Sequence, residues 1–252
     1  MEKNKSAYLF ILIGILTIGI FIVFTNYQVS KQRNNRNLIS AIKCNDIRSI
    51  MLLLANGADA NTRDDANDTL SFWQWWLNVL QGRQLQPTTS PTAMSIALNF
   101  GFDTNNDRVI DNYETVKALL DFGADPNVCD KGVTPLTVAS TGKQKTVKVL
   151  LDHGANVNVQ DSDGQTALML ATRWGQENIC KILLERNANT NIQDSEGRTA
   201  LMIAVNGQNE RIVQLLLHWK ANVYIKSKFG ETALLDAQKK MPEYLQIMLN
   251  RH

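Results

Sequence analysis

The chain has 252 residues, 44% hydrophobic and 20% charged, enough for one large domain or two small ones. With 26 basic and 24 acidic residues its net charge is +2, a near balance that gives no reason to expect nucleic acid and favours a mixed, solvated surface. The three cysteines, Cys44, Cys129 and Cys180, make no close-spaced metal pattern; they read as free thiols and lean toward a reducing compartment.

The first element is apolar. AYLFILIGILTIGIFIVF, residues 7–24, carries no charge over the length that crosses a hydrocarbon core. Tyr8 and Tyr27 sit at its ends, Lys3 and Lys5 before it, and Lys31, Arg33 and Arg36 after it. Residues 1–25 are therefore expected to be a membrane anchor with a transmembrane helix over 7–24. The rival, a cleaved signal peptide, has an unusually long apolar part here and no A-x-A site. The flanking charges nearly tie, so orientation stays open. Residues 26–37, NYQVSKQRNNRN, lack apolar periodicity and read as a polar stalk.

From residue 38 the chain repeats itself. GVTPLTVA from Gly132, GQTALMLA from Gly164, GRTALMIA from Gly197 and GETALLDA from Gly230 recur at spacings of 32, 33 and 33 residues. A second string follows each of the first three: HGANVN from His153, RNANTN from Arg186, WKANVY from Trp219. Earlier copies are NGADAN from Asn56 and FGADPN from Phe122. In Thr166–Ala171 and Ile179–Leu184 apolar residues fall at helical spacing, with Thr166 as a predicted N-cap and Gly175 in the turn between. Such short helix pairs are stable only when stacked neighbours bury one continuous core.

These strings resemble the ankyrin repeat over most of residues 38–252. The family's T-P-L-H-x-A survives in part: the proline remains only at Pro135, and Thr137, Met169, Met202 and Leu235 replace the histidine. The fold expected is all-α, an ankyrin solenoid of six repeats after the transmembrane helix. The repeats are 38–63, 91–130, 131–161, 162–194, 195–227 and 228–252. The last carries Lys239, Lys240, Glu243 and Arg251, as a water-facing cap would.

Two insertions break the period. The first, residues 64–90, holds Trp73, Trp75 and Trp76. Asp68 could cap a helix that puts Leu70, Trp73, Leu77 and Leu80 on one face, with Phe72, Trp76 and Val79 widening it. That face could pack on the array, meet a partner, or rest at a membrane interface. The second, residues 102–111, falls between the two helices of repeat two. With its flanks it resembles the EF-hand calcium loop. Asp103, Asn105, Asp107, Val109, Asp111 and Glu114 fall at the ligand positions, and Ile110 at the usual apolar one. Arg108 departs from the pattern, standing where glycine serves a positive φ. The resemblance implies a weak, structural calcium site.

His153, His218 and His252 come with no nucleophile–base pairing, phosphate loop or zinc spacing, so neither an enzyme nor a small-molecule substrate is expected. The resemblance implies a protein partner on the concave face. Carried onto this sequence, the family's contact positions include Lys131, Gln165, Arg173, Trp174, Arg198, Asn206 and Phe229. Trp73 and Trp76 join them if the first insertion faces outward. Arginine and tryptophan dominate interface hot spots, which singles out Arg173 and Trp174. The function expected is membrane-anchored protein binding; the alternative is an inhibitor or immunity-type protein that blocks an enzyme with the same face.

Overall fold

The computed structural model describes residue 23 and residues 26–64, 91–99 and 112–240. The span at 7–24 (save Val23), the tryptophan insertion beyond Asp64, the loop from Asp103 to Asp111, and residues 241–252 lie outside these. Among the described residues every regular element is a helix, and no helix is long and apolar enough to cross a membrane. The chain divides into two compact units, residues 1–93 and 94–252.

In the first unit, α1 covers residues 26–43 and α2 covers Ile47–Ala55. Asn45 turns the chain at φ +51°, and Asp46 caps α2 by accepting from the Ser49 amide at 3.3 Å. Leu38, Ile39, Ala41 and Ile42 of α1 and Ile50 and Leu54 of α2 form the core.

The expected polar stalk is instead the first half of α1, and polar side chains are what fix it. Gln28, Lys31, Asn34 and Asn35 are half-buried at spacings of three and four, continuing the stripe of Leu38, Ile39, Ala41 and Ile42. Asn35 Oδ1 accepts from the Asp59 amide at 2.8 Å, Asn34 Nδ2 donates to the Asn56 carbonyl at 3.2 Å, and Lys31 lies 3.9 Å from the Asp59 carboxylate. Hydropathy periodicity cannot register such a face.

The unit closes on a short hairpin. Arg63 bridges Thr92, the Asp64 amide donates to Pro91 O at 2.9 Å, and the Ala93 amide donates to Thr62 O at 2.8 Å. The tryptophan insertion therefore leaves and re-enters the array at a hairpin rather than between helices.

In the second unit the helices alternate. First helices are α3 (Ala93–Asn99), α5 (Pro135–Ala139), α7 (Ala167–Arg173), α9 (Ala200–Asn206) and α11 (Ala233–Lys240). Second helices are α4 (Tyr113–Asp121), α6 (Gln144–Asp152), α8 (Glu177–Glu185) and α10 (Glu210–His218). From α5 to α10, each first helix packs on its own second helix; α5, α7, α9 and α11 pack in succession, as do α4, α6, α8 and α10, giving two layers.

Thr134, Thr166, Thr199 and Thr232 each turn a hydroxyl onto the amide three residues on, so one cap starts four helices. The positions that lost the family histidine are core: Thr137, Met169 and Met202 are each 1% exposed. Helices of five to nine residues are marginal alone, so their stability comes from this stacking.

Between helix pairs the chain makes bridged fingers. Asp161 Oδ1 accepts from the Asp163 and Gln165 amides, Asp194 Oδ1 from Glu196 and Arg198, and Ser227 Oγ from Phe229 and Glu231. Fingers bond onward through backbone: Ser162 N to Gly132 O at 2.8 Å, Ser195 N to Asp163 O and Lys228 N to Glu196 O at 2.9 Å. Gln160 Nε2 reaches Gln193 O, and Gln193 Nε2 reaches Lys226 O. An asparagine ladder runs beside them. Asn127, Asn158 and Asn191 each accept, through Oδ1, the amide of Asn156, Asn189 and Asn222 at 2.7–2.8 Å.

Asp59 occupies the position of Asn156 in its own string, so Asn35 of α1 makes the bond that a preceding repeat would make. The polar half of α1 thus caps the first unit by imitation. Asn35→Ala is expected to cost about 1 kcal/mol. Amide exchange at Asp59 should quicken; an unchanged rate there would contradict the cap.

Candidate functional site

The residues expected to meet a partner lie at the ends of first helices and on the fingers. Arg173 is the last residue of α7 and Trp174 its C-cap; Asn206 and Gly207 hold the same places on α9. Arg173 is exposed, and Trp174 is 61% exposed. The equivalent of Trp174 in the next repeat is Gly207, which has no side chain to lay over the indole. Asn206 is exposed and accepts from Lys240 Nζ at 2.6 Å, which links α9 to α11.

The finger positions divide into free tips and fastened bases. Lys131 is exposed in the left-handed region at φ +52°, in the tight turn closed by Asp130 and Val133. Phe229 is 74% exposed. Gln165 is half-buried; its amide is held by Asp161 and its Oε1 is buried without a partner. Arg198 is bound inward: Nε donates to Asp194 Oδ2 at 2.9 Å and its guanidinium pairs with Glu196 at 2.7 Å. Its first task is therefore to hold a finger together, which a count of contact positions cannot reveal. Trp73 and Trp76 lie outside the described residues.

Of the calcium-loop residues only Glu114 is described. It is the second residue of α4 and its side chain is exposed. Among the described residues no group of three or more His, Cys, Asp or Glu could hold a metal ion.

The histidines that can be placed have structural roles. His153 caps α6, lies 2.8 Å from Val149 O through Nδ1, and reaches Asp121 at 3.2 Å through Nε2. The Asp121 carboxyl is held below the usual range, first by Lys117 at 2.9 Å and then by His153. In the next repeat Arg186, the C-cap of α8, reaches back to Asp152 of α6 at 2.9 Å, so the two pairs tie successive second helices. His218 meets Trp219 edge to face.

Cys180 is fully buried, with Thr172 Oγ1 at 3.6 Å from its sulfur, and burial pushes its thiol from 9.0 up to about 11. Cys44 and Cys129 are exposed. Two of the three thiols are expected to react with a disulfide reagent at pH 8, and the third only on unfolding. The raised group contributes stability that is fully present below about pH 9 and is lost as pH rises toward 11, because the unfolded thiol ionises first. A third fast-reacting thiol in the native chain would contradict the packing of α8.

The ankyrin-repeat family description, in three copies, matches residues 108–194 and 186–252, together more than half of the chain. Comparison with curated proteins finds no match. Ankyrin repeats in general bind protein partners and are typically non-enzymatic scaffolds. The period, the threonine caps, the two helical layers and the finger ladder all agree with that match, and the chain belongs to the ankyrin-repeat family.

Proposed function

We propose that the chain is a protein-binding scaffold held at a membrane by residues 7–24. Its partner docks on the first-helix ends and finger tips, with Arg173 and Trp174 as the anchor. The observation that carries this reading is Trp174 itself, a large aromatic left 61% exposed beside an exposed arginine. An indole in water at such exposure adds nothing to the core, whereas buried under a partner it supplies hot-spot energy. Lys131 and Asn206, both exposed, extend the same face.

The test is purification of the full chain from membranes, with its bound proteins quantified for wild type and for Trp174→Ala and Arg173→Ala. Loss of one protein by about tenfold in both variants, at unchanged melting temperature, is the expected result. An unchanged set of bound proteins would overturn the site. Release of the chain by alkaline carbonate would overturn the anchor.

A structural calcium ion at Asp103, Asn105, Asp107, Val109, Asp111 and Glu114 belongs to the same proposal. Glu114 supports it: the twelfth ligand of such a loop lies at the start of the exiting helix, where its bidentate carboxylate faces the ion. Calorimetry of the full chain with millimolar calcium should show saturable heat that Glu114→Gln removes. No heat would return the segment to a plain loop.

A further inference from the structure

Three ladders join neighbouring repeats in the second unit; at one edge the two built from side chains change character, while the backbone one keeps its geometry. Tyr224 stands where Asn127, Asn158 and Asn191 stand, and Lys226 where Gln160 and Gln193 stand. Phe229 replaces Asp163 and Glu196, the residues whose carbonyls accept the next finger's amide. Leu235 is 46% exposed, although Met169 and Met202 at its position are buried. The two fastening side chains have become a tyrosine and a lysine, a finger-tip carboxylate has become Phe229, and all of these, with Leu235, are exposed.

The backbone slot itself is kept. At Gly164 and Gly197 an added Cβ would lie 2.9 and 2.8 Å from the amide nitrogen of the following finger, so glycine is what lets that backbone approach. Gly230 has the same left-handed φ, +77°, and a Cβ there would meet nothing within 4 Å. No backbone amide among the described residues reaches the Phe229 carbonyl.

We propose that the edge formed by Tyr224, Lys226, Phe229, Gly230 and Leu235 is a docking site for an acidic polypeptide segment. The segment lays its backbone against the Ser227–Glu231 finger as each repeat lays its finger against the one before. The argument is continuity with an interface already present three times in this unit. An incoming amide takes the Phe229 carbonyl, apolar side chains cover Phe229 and Leu235, and carboxylates face Lys226 and Lys228. A second copy docked edge to edge would set these lysines against themselves, which disfavours it. A lipid surface would use the lysines and the aromatic ring but not the backbone slot. The site does not depend on Trp174, which lies in an earlier repeat.

The probe is a phage-displayed library of random dodecapeptides selected on the full chain, with an enriched peptide then titrated in solution. Acidic sequences are expected, with affinity falling as salt rises. Phe229→Asp should weaken binding about tenfold or more. Gly230→Asn should do the same; asparagine tolerates the left-handed backbone, yet its Cβ fills the slot. Trp174→Ala should leave binding unchanged, which separates this edge from the face proposed above. Four results would overturn the proposal. One is no enrichment, and a second is binding that survives both variants. Another is Phe229-dependent binding to phosphatidylserine vesicles without peptide binding. The fourth is a concentration-dependent dimer abolished by Phe229→Asp.

Discussion

Gly164→Ala is expected to destabilise the second unit by about 2–4 kcal/mol, far more than a single methyl on a half-exposed loop would suggest. Two costs combine. The residue sits at φ +72°, where a Cβ costs about 1 kcal/mol in backbone strain. The new methyl would also lie 2.9 Å from Ser195 N and 3.2 Å from the Asp194 backbone, neither of which is a flexible side-chain end. The fingers must part, and the Ser195 N to Asp163 O bond lengthens or breaks, at about 0.5–1.5 kcal/mol. Gly154→Ala isolates the first cost, since its φ is +85° and its Cβ meets nothing within 4 Å. Urea unfolding of both variants decides the matter: equal losses would mean the finger stack carries no energy. A larger loss at Gly164 should come with faster amide exchange in α9, because coupling in a stacked array passes through nearest neighbours.

This finger stack was only partly legible in the sequence. The period, the threonine caps and the apolar frame of α7 and α8 could be read because each is a local pattern repeated at fixed spacing. Asp161 and Asp194 recur in register too, yet their acceptance of two amides each needed coordinates. The polar half of α1 was not legible. Its half-buried face is Lys31, Asn34 and Asn35, residues that score as solvated, and the bond that orders it spans 24 positions to Asp59. Arg198 shows another limit of the sequence. A variable position on a finger suggests a partner, while its guanidinium closes on Asp194 and Glu196 of its own finger. The exposure of Trp174 could not be foretold either, since on sequence grounds the indole could equally have covered the neighbouring repeat.

Lys143→Ala is expected to cost about 3 kcal/mol and to loosen repeat two more than any other. A lysine in a turn, TGKQ, reads as solvent-facing, yet Lys143 is 2% exposed. Its ammonium donates to Leu98 O at 2.5 Å, and Asn112 Nδ2 donates to Ala97 O at 2.8 Å. These are carbonyls in the last turn of α3, which a continuing helix or a tight turn would otherwise satisfy. The chain instead leaves for the inserted loop, and Asn112 and Lys143 finish the helix in its place. A hydrogen bond from a charged donor contributes about 1.5–3 kcal/mol, and truncation to alanine adds an unfilled space around the lost alkyl chain. Lys143→Met keeps the alkyl chain and should lose less. The difference between the two variants measures packing, and the methionine loss measures the ammonium. If α3 is held by this clamp, the loop can be exchanged for a short turn without unfolding repeat two. A loop replacement stable in wild type but not in Lys143→Ala is the expected result. Equal tolerance in both backgrounds would mean that α3 is held by its apolar face alone. The clamp also explains how a repeat can carry an insertion: Asn112 and Lys143 supply the donors that finish α3, so the helix pair does not rely on the residues between Asn99 and Asn112 for them.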